Sequence, residues 1–140
     1  GSPDPGLPLL AESLQANGIP VEKTKKLQDI EQTVLKMRNL LDNDATIVVL
    51  DEHATLLNIA ADNPPWRVDI SVYFNTFFVQ NRENILSELS SYSPDYILIT
   101  TESPREWYED TWAFYRDGLA ENYAQSERVG QFDLLERRPQ

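Results

Sequence analysis

Leu27, Ile30, Val34, Met37 and Leu41 recur at alternating steps of three and four. That spacing puts them on one stripe of a helix running from about Glu22 to Leu41. Barely three heptads are present, so the stripe fits a helix covering a sheet better than a coiled coil. Asp42-Asn43-Asp44 then turns the chain into a short β-rich apolar run, Ile47-Val48-Val49-Leu50. The run stops at the charged cluster Asp51-Glu52-His53 and leads into a helical pattern over Ala54 to Asp62. This is the strand-to-helix step of a layered α/β fold, and it puts acidic groups where such folds place ligands, at a strand's carboxyl end.

Two prolines in Asn63-Pro64-Pro65-Trp66-Arg67 forbid regular structure and hold a loop extended. Val68, Ile70 and Val72 then alternate with Asp69, Ser71 and Tyr73, the pattern of a half-buried edge strand. A helix is expected from about Phe77 to Ser90, with Phe78, Ile85, Leu86 and Leu89 facing inward. Pro94-Asp95 leads into Tyr96-Ile97-Leu98-Ile99-Thr100, apolar on both faces as a central parallel strand should be. Ser103-Pro104-Arg105-Glu106 has the N-cap serine, first-turn proline and reciprocal glutamate of a helix start. The helix it opens would carry Tyr108, Trp112, Tyr115, Leu119 and Tyr123 on one face. Glu127 to Gly130 and Phe132 to Glu136 read as two short strands around a tight turn.

The alternation predicts an α/β fold: a three-layer sandwich with a short, mostly parallel sheet and an antiparallel C-terminal edge hairpin. Residues 1–20, rich in proline and ending at Asn17-Gly18-Ile19-Pro20, read as a linker or lead-in. Gly1-Ser2 has the form of a cloning remnant, which implies an excised piece of a longer protein. Residues 21–140 then form a single domain, long enough to bury a core without staples.

Charge narrows the partners. The 23 acidic side chains outnumber 12 basic ones, for a net charge of −11. Such a surface repels phosphate backbones and anionic bilayers, so nucleic acid is not an expected partner. With no cysteine, disulfides, thiolate metal sites and a cysteine nucleophile are excluded. No run approaches the ~20 apolar residues of a membrane span.

An apolar strand ending in Asp-Glu is found in purine triphosphatases, yet none of the five glycines is followed by Lys-Ser or Lys-Thr, so no phosphate-cradling loop accompanies it. The dinucleotide fingerprint fails for the same reason. Asp51, Glu52 and His53 are candidates for acid–base or binding chemistry, although a metal normally needs three converging ligands and His53 is the chain's only histidine. The ordinary reading of the cluster is a solvated turn and helix cap. Asp42-Asn43-Asp44 matches the Asp-x-Asp of metal-dependent sugar transferases but precedes its strand instead of following it. No nucleophile elbow is present. Trp112 and Tyr115 read as core aromatics, whereas Trp66, beside Arg67 in the proline-held loop, is a candidate for sugar stacking. No metal or cofactor is expected.

From Leu35 to Arg138 the chain resembles the soluble C-terminal region of bacterial multi-spanning membrane glycosyltransferases, the polyprenyl-phosphate-sugar-dependent class related to protein mannosyltransferases. The similarity rests on Val48-Val49-Leu50-Asp51-Glu52, Leu56-Leu57-Asn58-Ile59-Ala60, Asn63-Pro64-Pro65-Trp66-Arg67, Pro94-Asp95-Tyr96-Ile97-Leu98-Ile99, Tyr123, and Gly130-Gln131-Phe132-Asp133-Leu134-Leu135-Glu136-Arg137-Arg138. One departure is Ala61-Asp62-Asn63-Pro64, where relatives have a Gly-Arg-Pro-like run. The resemblance implies an extracytoplasmic accessory domain that follows the last membrane helix. Its partners would be its own transmembrane domain and a lipid-linked sugar or glycan acceptor. The catalytic aspartate of that class lies in an early loop between membrane helices, and nothing here matches it, so the chain alone is expected to be catalytically silent. The alternative is a free-standing α/β interaction module with the 22–41 helix as its contact face.

Overall fold

The computed structural model describes residues 16–18, 21–51, 54–66, 81–101 and 106–139, with only the backbone of 21–24 and 106–109. Within them lie four long elements of helix, α1 (Val21–Asp42), α2 (Ala54–Ala61), α3 (Arg82–Tyr92) and α4 (Glu106–Leu119). The strands are β1 (Ile47–Leu50), β2 (Tyr96–Thr100), β3 (Tyr123–Val129) and β4 (Phe132–Arg137). They form one sheet in the order β1-β2-β4-β3. β1 and β2 run parallel, with Val48 opposite Ile97. β4 returns antiparallel to β2, with Leu98 opposite Leu134, and β3 pairs antiparallel with β4. The fold is therefore α/β as expected; among the described residues one ladder is parallel and two are antiparallel.

The pleat sorts the core into two clusters. Val48, Leu50, Ile97, Ile99 and Leu135 point to one face, where Ile85 and Leu89 of α3 and Trp112, Tyr115 and Leu119 of α4 cover them. Ile47, Val49, Leu98, Phe132 and Leu134 point to the other, under Val34 and Met37 of α1 and Ala54, Leu57 and Ala61 of α2. The period-2 alternation of a strand sends its neighbours to opposite sides. That is why β1 and β2 had to be apolar throughout. Burying one such side chain stabilises the domain by about 1.5–3 kcal/mol.

Helix ends explain the turns. The amide of Ala45 donates to the carbonyl of Leu40 and that of Asp44 to Leu41, with Asp44 at φ 61°. Asn63 and Asp62 repeat the arrangement on Asn58 and Ile59, with Asp62 at φ 57°. These are Schellman caps that use aspartate, a residue that tolerates the left-handed region, where glycine is commoner. After the second cap, buried Asn63 donates from Nδ2 to the carbonyl of Ile47 (3.1 Å) and to Oδ1 of Asn58 (2.8 Å). It thereby fastens the end of α2 to the start of β1.

Three expectations need correction. Ile30 is 49% exposed, while Thr33 is buried, so the covering stripe of α1 is rotated away from the one read from the apolar residues. Tyr123 is not on α4, which ends at Leu119; it opens β3 and is buried there. β3 starts four residues earlier than the short strand expected at Glu127 and contains a bulge between Gln125 and Glu127. The expected strand at 68–72, the proposed start of α3 at Phe77 with inward Phe78, the Ser103–Arg105 capping signal and Tyr108's side chain lie outside the described residues.

Candidate functional site

The sheet has two chemically different ends. At the amino end, Asp95 accepts hydrogen bonds from Thr46 and pairs with Arg137, whose Nη1 also donates to the carbonyl of Ser93 (2.6 Å). Beside them a cleft of about 390 Å³ lies between the last turn of α1 and the ends of β2 and β4. Tyr96 in its wall faces Glu136, 3.5 Å from hydroxyl to carboxylate. Burial, and then the Glu136 charge, raise the tyrosine's pKa above its ordinary value. Tyr123 donates its hydroxyl to the carbonyl of Pro94 (2.6 Å) at the same end. These bonds join strand ends to one another, so the cluster is architectural.

Asp51 stands at the other end, where β1 stops, and is half-buried. Trp66 belongs with the amino end. Its ring lies 5.9 Å from that of Tyr92, at the last residue of α3, and it packs against the core cluster under α3 and α4. The chain reaches it from Asn63, which is bonded to the first residue of β1. The structure therefore does not bring Asp51 and Trp66 together: the length of β1 separates them. Glu52, His53 and Arg67 lie outside the described residues. Trp112 and Tyr115 are core, as their spacing indicated. Burial pushes the Tyr115 hydroxyl's pKa well above its ordinary value, so it stays neutral. Among the described residues no group of three His, Cys, Asp or Glu side chains could hold a metal ion.

The carboxyl end of β2 holds polar residues that the sequence reading passed over. Arg116 of α4 extends over the sheet, donating from Nη2 to the carbonyl of Thr100 and pairing with Asp133 at 3.3 Å. Arg128 of β3 donates from Nη2 to the hydroxyl of Thr101 (3.1 Å). Thr101 in turn donates its hydroxyl (2.9 Å) and its amide (3.0 Å) to the carbonyl of Gln131 in the hairpin turn. Gln125 donates to Asp133 (3.0 Å), so both oxygens of that carboxylate are engaged. Arg128 pairs with Asp133 across the ladder, and Asp133 alternates with Leu134. The cluster thus shares the α3–α4 face with Leu135.

Chemically, two guanidiniums beside one strand end are suited to hold an oxyanion; the carboxylate among them, Asp133, is already bonded by Arg116 and Gln125. A signal did exist. Arg116 falls between Trp112 and Leu119 at helical spacing, a cation within an otherwise apolar stripe.

Comparison of the chain with known protein families, curated proteins and solved structures finds no match.

Proposed function

We propose that the chain is an extracytoplasmic accessory domain of a polyprenyl-phosphate-sugar-dependent membrane glycosyltransferase. It would help to position the acceptor or the lipid-linked donor and would not be catalytic alone. The observation that supports this reading is the way the resembling stretches assemble. Residues 48–51, 94–99 and 130–138, far apart in sequence, lie in or beside β1, β2 and β4, which are consecutive strands of one sheet. A likeness spread over unrelated loops would carry less weight than one that traces a contiguous sheet. None of the described helices is long and apolar enough to cross a membrane, so on this reading the anchoring spans belong to the rest of the protein. The transmembrane partner, the lipid-linked substrate and the extracytoplasmic location all follow from the same proposal. Within it Asp51 and Trp66 act separately, from opposite ends of β1.

The test is to read the coding sequence upstream of Pro3. Several apolar spans of ~20 residues, with an acidic residue in the first outward loop, are expected. A short leader with no such span would overturn the proposal. In the full-length enzyme, Arg67→Ala should lower turnover without unfolding the domain.

One observation favours a second reading, an α/β protein-interaction module. Leu56 is 67% and Ile59 73% exposed on the outer face of α2. Their spacing of three puts them side by side, and among the described side chains Ile30 is an exposed apolar residue of α1, the helix α2 packs against. If this face recruits a partner, Leu56→Ser with Ile59→Ser abolishes association in sedimentation while the fold persists. An unmodified chain that neither dimerises nor recruits a partner in sedimentation removes the module reading.

A further inference from the structure

We propose that Arg116 and Arg128 form a binding site for a phosphoryl oxyanion at the carboxyl end of β2, on the α3–α4 face. The two guanidiniums come from different elements, α4 and β3, and are anchored on consecutive residues, Thr100 and Thr101. Arg116 pairs with Asp133, which is the cross-strand partner of Arg128, so both side chains stand beside the same carboxylate on one face of the sheet. Their stabilising bonds leave donors unused. Arg116 keeps a third of its side chain exposed (35%), and its Nε is enclosed without a hydrogen-bond partner. An unsatisfied buried donor costs about 1–3 kcal/mol, which a purely structural arginine would have little reason to retain. Arg128 is exposed, is held by a neutral hydroxyl, and has no ion pair among the described residues.

The local charge balance also points to an anion. Asp133 is the carboxylate inside the cluster, and it is already bonded by Gln125 and Arg116. Among the described residues of the cluster, two cations face one engaged carboxylate, on a chain whose net charge is −11. That acidic background disfavours loose, non-specific attraction of anions and leaves a local, geometric site as the way to hold one. A single guanidinium fork saturates a carboxylate's two oxygens, whereas forks from two directions match the three terminal oxygens of a phosphoryl group.

This inference goes beyond the glycosyltransferase reading and fails separately from it, because it is tested on the chain as it stands. The experiment is an amide and arginine-side-chain NMR titration with inorganic phosphate at low ionic strength. Saturable shifts are expected at Thr101, Gln131 and Arg128 and at the Nε–H of Arg116. Arg128→Gln, on an exposed strand position where folding is not at stake, should weaken binding about tenfold, and Arg128→Lys should fall between. Acetate at equal concentration should bind more weakly than phosphate. Ethyl phosphate binding as well as phosphate would assign the group to an organic carrier, whereas binding of the inorganic ion alone would assign it to free phosphate. Shifts that do not saturate, acetate matching phosphate, or unchanged affinity in Arg128→Gln would each overturn the proposal.

Discussion

Thr46 and Asp95, 49 residues apart, hold each other by reciprocal hydrogen bonds at the entrances of the two parallel strands. The amide and hydroxyl of Thr46 donate to Oδ2 of Asp95 at 2.8 and 3.1 Å, and the amide of Asp95 donates to the Thr46 hydroxyl at 2.8 Å. The other carboxylate oxygen takes Nη2 of Arg137 at 2.9 Å, so β1, β2 and β4 meet on one side chain. The ion pair is exposed and contributes little by itself. The bonds from Thr46 count for more, because a hydrogen bond to a charged group contributes about 1.5–3 kcal/mol. Asp95→Ala should therefore cost about 2–3 kcal/mol, and Asp95→Asn, which keeps an acceptor, about half as much. In urea unfolding the midpoint should fall with an unchanged slope. A loss within about 0.5 kcal/mol, the range of an ordinary surface substitution, would mean that the backbone ladder alone sets this register.

Gly130 is held against α1 at its backbone. Val129 and Phe132 pair across a two-residue turn in which Gly130 has φ 58° and Gln131 has no positive φ, the pattern of a type II′ hairpin. A Cβ at Gly130 would meet the Asp29 carbonyl oxygen and Thr33 Oγ1, both at 2.7 Å. The first is backbone, and the second is tied to it by the bond from Thr33 to Asp29 (2.8 Å). Neither can step aside cheaply. Gly130→Ala should cost about 2–4 kcal/mol from the left-handed backbone and the overpacking together. Gly130→Asn separates the two causes. Asparagine tolerates the dihedral but carries the same Cβ, so it should be nearly as destabilised; stability close to the unmodified chain would show that conformation, not contact, is the constraint.

The strands and their neighbours were legible because burial on both faces leaves an unambiguous apolar run. Ile47–Leu50 and Tyr96–Thr100 appear where the pattern put them. Helix faces were read less well. Ile30 fits the apolar stripe by spacing, but Thr33 satisfies its hydroxyl on its own helix and so could be buried in its place. Tyr123 continues the spacing of α4 by four residues from Leu119, and only the turn at 120–122, which lacks any glycine or proline, reveals the break. The candidate site was the least legible part. Asp51 was read at the end of β1 and Trp66 in the proline loop, and only the path around β1 shows that they lie at opposite ends of it. Arg116 and Arg128 share no local motif; only the antiparallel return of β4, which places β3 two strands from β2, brings Arg128 to the residue next to Arg116's anchor.

Glu31 gives the domain a pH dependence of definite sign. The residue is 6% exposed on α1, and its Oε1 has no hydrogen-bond partner among the described residues. Burial raises its pKa above the ordinary 4.5. The folded state then keeps the proton to a higher pH than the unfolded chain. Stability linked to this group is fully present below the ordinary value, falls as pH rises through the raised one, and levels off once both states are ionised. Glutamine has the shape of the protonated acid without its titration. Glu31→Gln should therefore raise the melting temperature at pH 7 and have little effect near pH 4, where the native carboxyl is neutral. The measurement is the difference in melting temperature between variant and unmodified chain at the two pH values, which cancels the repulsion among the other acidic groups. A difference that is the same at both would mean that Glu31 titrates alike in the folded and the unfolded chain; a variant less stable at pH 7 would mean that the ionised form is the one the fold prefers.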